Sequence, residues 1–411
     1  MSNVKVITLE NGLTVVMDHL ESVESATVGL WSKVGSYIET DKNNGMCHFL
    51  EHMVFKGTKR RDTFQISEEI EAKGGYLNAW TSKEKTAWYA KVLKNDVALA
   101  VDIVFDLIRN STFPTDELEK EKGVIVEEIK MYLDDPSDLA YNLYDKICYN
   151  GSSIAMPIIG NEATVNSFTS QDFFNHLNTY YSPKDMVCVI SGNFNEQQFL
   201  DALNLHNSGW VNNIVLPKRE VPAFKSAKDI IIKKEIEQTT LIYGLEGYGY
   251  LDEDYYKASV TNAILGGGMS SRFFVEIREK RGLAYSVNSS LHSYINCGSF
   301  AVSVGCNKDK ALEVIKLIKE EIAVTRVELQ DKEIEKSKNQ LKSSVLMSLE
   351  NTRNRAERFA GNILNLGKIK ESQDIINSID AVSREDIQAV LDRFLNSKES
   401  IAVVSNANIE I

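Results

Sequence analysis

His48 and His52 stand four residues apart in the stretch GMCHFLEHMVFKG, residues 45–57. The stretch is apolar and stops at Gly57, as a short helix does. On a helix this spacing sets the two imidazoles one above the other on a single face. Two imidazole nitrogens suit Zn²⁺, and a catalytic zinc adds a third protein ligand and keeps one position open for water. Glu51, one residue before His52, reaches the space in front of both rings, where a carboxylate can serve as general base.

The third ligand has to come from a second element. Residues 116–132, DELEKEKGVIVEEIKMY, open with acidic side chains, as first helical turns do, and read as a helix. Glu121 and Glu128 are seven residues apart, close to two turns, and share a face; Glu127 points about 100° away. Taken alone these patterns stay ambiguous. A His pair at this spacing also serves structural roles, and an acidic helix face is ordinarily just solvated. Cys47 adjoins His48 but points about 100° round the helix and reads as a packing thiol. His19, His176, His206 and His292 have no partner at ligand spacing and read as structural.

The elements that must position these residues recur along the chain. SATVGLWSKVGSY from Ser25 parallels QTTLIYGLEGYGY from Gln238, and IEAKGGYLNAWTS from Ile70 parallels IREKRGLAYSVNS from Ile277. ELEKEKGVIVEE from Glu117 parallels EIEKSKNQLKSS from Glu333. DFFNHLNTYYSPKDMVCVISGN from Asp172 parallels DIQAVLDRFLNSKESIAVVSNA from Asp386. Four blocks in one order, at offsets of 207 to 216, mark a duplication. The counterparts of His48 and His52 fall within Tyr255–Leu265, YYKASVTNAIL, which holds neither His nor Glu. Glu121 and Glu128 map to Ser337 and Ser344. The second half keeps the scaffold and lacks the candidate metal residues as a set.

The division runs as residues 1–211, a linker at 212–226 (NNIVLPKREVPAFKS, with Pro217 and Pro222), and residues 227–411. Within each half, strands and helices are grouped rather than strictly alternating. The expected fold class is α+β: two homologous domains, each an antiparallel sheet covered by helices on one face.

The chain has 411 residues, with 46 Lys+Arg against 58 Asp+Glu and a net charge of −12. With 43 % apolar and 25 % charged residues it has a globular balance, and its acidity excludes the usual nucleic-acid and peripheral membrane binders. No apolar run approaches the roughly 18 residues of a membrane span. The alternating N-terminal stretch reads as a hairpin turning at Asn11-Gly12, not as a signal peptide. Cys47, Cys148, Cys188, Cys297 and Cys306 are scattered, which points to free thiols in a reducing compartment. A soluble, cytoplasmic protein is expected.

In these blocks the sequence resembles the zinc peptidases of the pitrilysin superfamily, in the short-chain branch that includes mitochondrial processing peptidase and its bacterial relatives. GMCHFLEHMVFKGT shows the inverted His-x-x-Glu-His motif. EKGVIVEE, GGYLNAWTSKEKTAWYA and LGGGMSSRFFVEIREKRGLAYSV match as well, so the resemblance covers essentially the whole chain. Cys47 is a departure, since the family usually has Ala there.

The resemblance implies one Zn²⁺ per chain held by His48, His52 and Glu128, with Glu51 as general base and Glu121 orienting the arrangement. It implies that the strand around Asn78 and Ala79 takes the substrate as an added strand, and that Phe55 lines the pocket for the residue after the cut. Arg278 and Tyr285 would contact the substrate backbone and stabilise its carbonyl oxygen. On pattern alone Asn78 and Ala79 read as an ordinary half-buried strand, Phe55 as core, and Arg278 and Tyr285 as a surface Arg and a packed Tyr. Gly266–Gly268 lacks the spacing of a phosphate loop and reads as a turn.

Two domains make half of the clamshell that longer members carry in one chain. The resemblance therefore implies a homodimer, or a pair with a different chain, in which Arg278 and Tyr285 of one subunit face the zinc site of the other. Processing enzymes hold an arginine upstream of the cut with two acids four residues apart. Here those positions are Asp138 and Asn142, which speaks against strict arginine dependence. The −12 charge favours basic, presequence-like peptides. The expected function is that of a zinc endopeptidase acting inside a two-subunit chamber. The alternative is a non-catalytic or partner-dependent homologue, against which the complete metal set argues.

Overall fold

The computed structural model describes residues 4–211, 216–219 and 221–411. Residues 212–215 and 220 of the expected linker lie outside the described residues, as do residues 1–3. The first half begins β1 (Val4–Thr8), β2 (Thr14–His19), β3 (Ser25–Ser32), α1 (Met46–Met53), α2 (Thr63–Glu71), β4 (Tyr76–Thr81) and β5 (Thr86–Leu93). It continues α3 (Val97–Asn110), α4 (Thr115–Asp134), α5 (Pro136–Cys148), α6 (Glu162–Ser167), α7 (Ser170–Tyr180), β6 (Met186–Gly192) and α8 (Glu196–Asn207). The second half opens with β7 (Lys228–Ile232), β8 (Thr239–Glu246), α9 (Tyr255–Gly266), β9 (Ala284–Ser293) and β10 (Gly298–Cys306). Then come α10 (Ala311–Glu328), α11 (Asp331–Ser348), α12 (Thr352–Leu366), α13 (Ser372–Asp380), α14 (Arg384–Leu395) and β11 (Glu399–Ser405).

The fold is α+β, and the duplication is visible in its topology. One sheet has the order β1-β2-β6-β3-β5-β4 and the other β7-β11-β8-β10-β9. Apart from β1, the two orders superimpose strand for strand. Neither sheet is purely antiparallel, which corrects the sequence expectation. In each, the closing strand inserts between two strands that run in opposite directions. β6 is antiparallel to β3 and therefore parallel to β2; β11 is antiparallel to β8 and parallel to β7. The N-terminal hairpin β1-β2 forms as expected, with Gly12 at φ +88° in its turn.

The chain divides into two compact units, each built from three segments. One comprises Met1–Ile129, Pro157–Arg219 and Ser348–Lys370; the other comprises Lys130–Met156, Glu220–Met347 and Glu371–Ile411. The units are thus not the two sequence halves, because each half contributes a helix to the other's sheet.

In the first unit, α3 packs against β3 and β5 on one face of the sheet. On the other face, Val16, Trp31, Tyr89, Val187 and Val189 meet Phe359, Ile363 and Leu364 of α12. A buried ion pair ties the helix down: Arg355 Nε and Nη2 donate to Asp18 Oδ2 and Oδ1 at 2.6 and 2.7 Å. In the second unit, residues of α9, α10 and α14 pack on one sheet face. α5 covers the other face, setting Leu143, Tyr144 and Ile147 against Ile242, Ala301 and Val404. Gly244 is required there, since a Cβ would lie 2.2 Å from the Tyr144 ring. Both sheets are therefore covered on both faces, not on one as expected. β6 is buried at every residue, as a doubly covered strand must be.

Candidate metal centre

α1 spans eight residues and buries Met46, Cys47, Phe49, Leu50 and Met53. His48, Glu51 and His52 are left on its half-buried face. α4 buries Leu118, Glu121, Ile125 and Ile129 along one stripe, and Glu128 is half-buried beside it. Glu127 is exposed.

The two helices bring His48, His52 and Glu128 together, with one ligand atom from each lying within 4.8 Å of the others. His48 Nε2 is 3.7 Å from Glu128 Oε1, and His52 Nε2 is 3.8 Å from Glu128 Oε2. These separations are too long for hydrogen bonds. They are close to the roughly 3.4 Å that separates two atoms bound to one tetrahedral zinc at about 2.0–2.1 Å. The donor set of two imidazoles and a carboxylate fits zinc in chemistry as well as span. No other group of three ligating side chains is found among the described residues.

Neighbouring groups set the orientation of the His52 ring and the charge state of His48. His52 Nδ1 lies 2.9 Å from Glu121 Oε1, and Nε2 is the ring nitrogen turned toward Glu128. Burial works to lower His52, but the Glu121 hydrogen bond and the charges of Glu121, Glu128 and Glu51 outweigh it and hold the ring above its ordinary value. Glu121 is only 7 % exposed and also pairs with Lys56 Nζ at 2.6 Å. Burial works to raise the Glu121 carboxyl, but hydrogen bonds from His52 and Lys56 outweigh it and hold the group below its ordinary value. Burial first, and the neighbouring His52 second, push His48 down to about 3, so its imidazole is neutral. His48 Nδ1 is buried without a hydrogen-bond partner. Burial raises both Glu51 and Glu128; Glu51 also has the Thr81 side chain of β4 as a hydrogen-bond partner. A carboxyl raised by burial is suited to exchanging protons near neutral pH.

The other residues singled out in the sequence fall in two places. Asn78 and Ala79 lie in β4, an edge strand that pairs with β5 alone. Phe55 is half-buried in the turn after α1. Asp138 and Asn142 lie a turn apart on α5, in the second unit. Arg278, also in that unit, belongs to a widened helical turn at Phe274–Glu279. Its guanidinium lies over the rings of Phe274 and Tyr285, 4.7 and 5.5 Å from their centroids, and Tyr285 is 74 % exposed. Lys56 escaped the sequence reading, although its place one turn after His52 was a usable signal. Glu39 and Thr81 carried none.

None of the five cysteines forms a disulfide. Among the described residues no helix is long and apolar enough to cross a membrane.

Residues 14–162 match the family described as Insulinase (Peptidase family M16), and residues 167–341 match the Peptidase M16 inactive domain. A protein of Bacillus subtilis named as an uncharacterized zinc protease is 36 % identical over 407 residues, covering 98 % of both chains. The chain belongs to peptidase family M16. The fold is shared with solved structures: a protease from Helicobacter pylori aligns at a TM-score of 0.90 and 21 % identity, over 98 % of this chain and 100 % of that one. A Pseudomonas fluorescens structure titled as a peptidase M16 inactive domain aligns at 0.91 and 20 % identity, over 100 % and 99 %. The His48, His52 and Glu128 group lies in the stretch matched as M16 peptidase. The stretch matched as the M16 inactive domain holds Ser337 where the first domain has Glu121.

Proposed function

We propose that this chain is a zinc endopeptidase that cleaves extended, basic peptides. The observation that carries the reading is the His48, His52 and Glu128 group with Glu51 on the same helix face, missing as a set from the repeat. His48 Nε2, His52 Nε2 and a Glu128 oxygen would hold the ion. When bound, zinc supplies Lewis acidity toward water and the scissile carbonyl. Glu121 keeps the His52 proton on Nδ1. Glu51 takes the proton of the attacking water on its carboxylate and returns it to the leaving amine. The free edge of β4 at Asn78 and Ala79 receives the substrate backbone as an added strand, and Phe55 flanks the residue after the cut. Arg278 and Tyr285 donate to the carbonyl oxygen as charge develops, with Asp138 available to a basic side chain. Two chains, alike or different, enclose the substrate, each giving its Arg278 and Tyr285 to the other's zinc site.

Metal analysis combined with digestion of a basic peptide library tests this. The purified protein is expected to hold about one zinc per chain and to cleave. Glu51→Gln should retain zinc and lose roughly 10²–10⁴-fold in rate. Zinc without cleavage by the wild type would favour the non-catalytic or partner-dependent reading. Equal cleavage by both proteins would remove Glu51 from its role. A mass measurement finding an active monomer at all concentrations would remove the pairing.

A further inference from the structure

The helix that carries both histidines cannot cap itself. His48 sits in the first turn of α1, where the leading N–H groups have no partner inside the helix. Ordinarily a serine, aspartate or asparagine just before the helix supplies one. That position is Gly45, at φ +96°, and a Cβ there would lie 2.7 Å from the Ile159 carbonyl oxygen and 2.9 Å from Gly160 Cα. No side chain fits.

Glu39 delivers the cap from six residues upstream. It is 4 % exposed; its Oε1 accepts from Cys47 N at 2.7 Å, and its Oε2 accepts from Gly45 N at 2.8 Å and Asn44 Nδ2 at 3.0 Å. All three contacts are donors. No cation pairs with Glu39 among the described residues, so the N-terminus of α1 and these donors are what compensate a buried carboxylate. Cys47 is held from a second side, its Sγ lying 3.4 Å from His176 Nε2 on α7. The residue directly before His48 is thus fixed at its backbone by Glu39 and at its side chain by His176.

We propose that Glu39 is a positioning residue for the metal centre: by capping α1 from outside, it sets where His48 Nε2 stands relative to His52 and Glu128. This rests on the zinc reading above. Loss of the cap loosens the first turn, which holds His48, more than the second, which holds His52. The ligand set then loses its geometry while the rest of the unit stays folded.

Glu39→Gln tests the inference, because it keeps the shape but turns an amide NH₂ toward N–H donors. Zinc affinity is measured by chelator competition at pH 8, above the value of about 7 to which burial pushes the Glu39 carboxyl. Folding is followed separately by circular dichroism. The control is Asp62→Ala, which removes the side-chain cap of α2 in the same unit. Glu39→Gln should bind zinc about 10–100-fold more weakly than the wild type, and Asp62→Ala should bind it as the wild type does. Should Glu39→Gln fail to fold, Glu39→Asp, which keeps the charge on a shorter arm, should show the same weakening to a smaller degree. Wild-type affinity in the folded Glu39 variant overturns the proposal, as does equal weakening by Asp62→Ala. A wild type that binds no zinc overturns the underlying site reading instead.

Discussion

His52 serves two carboxylates with one ring, giving its Nδ1 proton to Glu121 while Nε2 looks toward Glu128. Lys56 pairs with the buried Glu121, so that carboxylate has its own counter-charge. His176 shows the opposite case, an imidazole held by aromatic packing and the Cys47 thiol, with no charged ring contact among the described residues. It is buried against Tyr180 and Tyr181, and burial pushes it down to about 3. A histidine whose folded value lies below its unfolded value of about 6.5 contributes stability above that pH and loses it as the pH falls toward 3. Between pH 7 and 4.5 the wild type should therefore lose about 2 kcal/mol more unfolding free energy than His176→Phe in urea titrations. Parallel pH dependence in the two proteins would show that His176 is not held neutral. Sequence spacing revealed His48, Glu51, His52 and the acidic face of α4, because helical periodicity reports neighbours within an element. It was silent on Glu39, which lies in an irregular loop and reaches α1 through tertiary contact.

At the scale of elements, apolar patterning showed which segments form strands but not what covers them. MVCVISG and SIAVVSN are continuous apolar runs rather than alternating ones, and that is the mark of strands buried on both faces. The second cover could not be read in either half, because α12 and α5 come from the opposite end of the sequence relative to the sheets they protect. The direction of the closing strands was hidden for a related reason: insertion between two opposed strands is a long-range event. α12 is fastened by the Asp18–Arg355 pair and by Thr352 Oγ1 against Thr27 Oγ1 at 2.9 Å. Arg355→Ala leaves a fully buried Asp18 carboxylate with Ser191 as its remaining side-chain partner. It should cost about 3–5 kcal/mol, read as a fall in the denaturant midpoint of the first unit. A loss below about 1 kcal/mol would mean that apolar packing alone holds the helix.

At the scale of the whole molecule, the duplication gives two units of one plan with the candidate metal ligands in one of them. The −12 charge gains a candidate use if cationic peptides are the substrates. The kcat/KM for a peptide of several Lys or Arg should then fall as salt rises from 0.05 to 0.5 M, while that for a neutral peptide stays level. Equal salt dependence for both would detach the charge from substrate capture. The exchanged helices also govern how the protein is made. On the ribosome the last strand of the first sheet is complete at residue 192, but the helix that seals its second face begins at residue 352. Reaching that residue takes a further 352 − 192 = 160 residues, about 8–30 s of synthesis at roughly 5–20 residues per second. For that interval Trp31, Tyr89, Val187 and Val189 lack their cover. The nascent first unit is a natural client for chaperones until translation is nearly finished, and a messenger truncated before α12 yields a sticky product rather than a small working domain. Duplication has left two domains that can no longer be made one at a time.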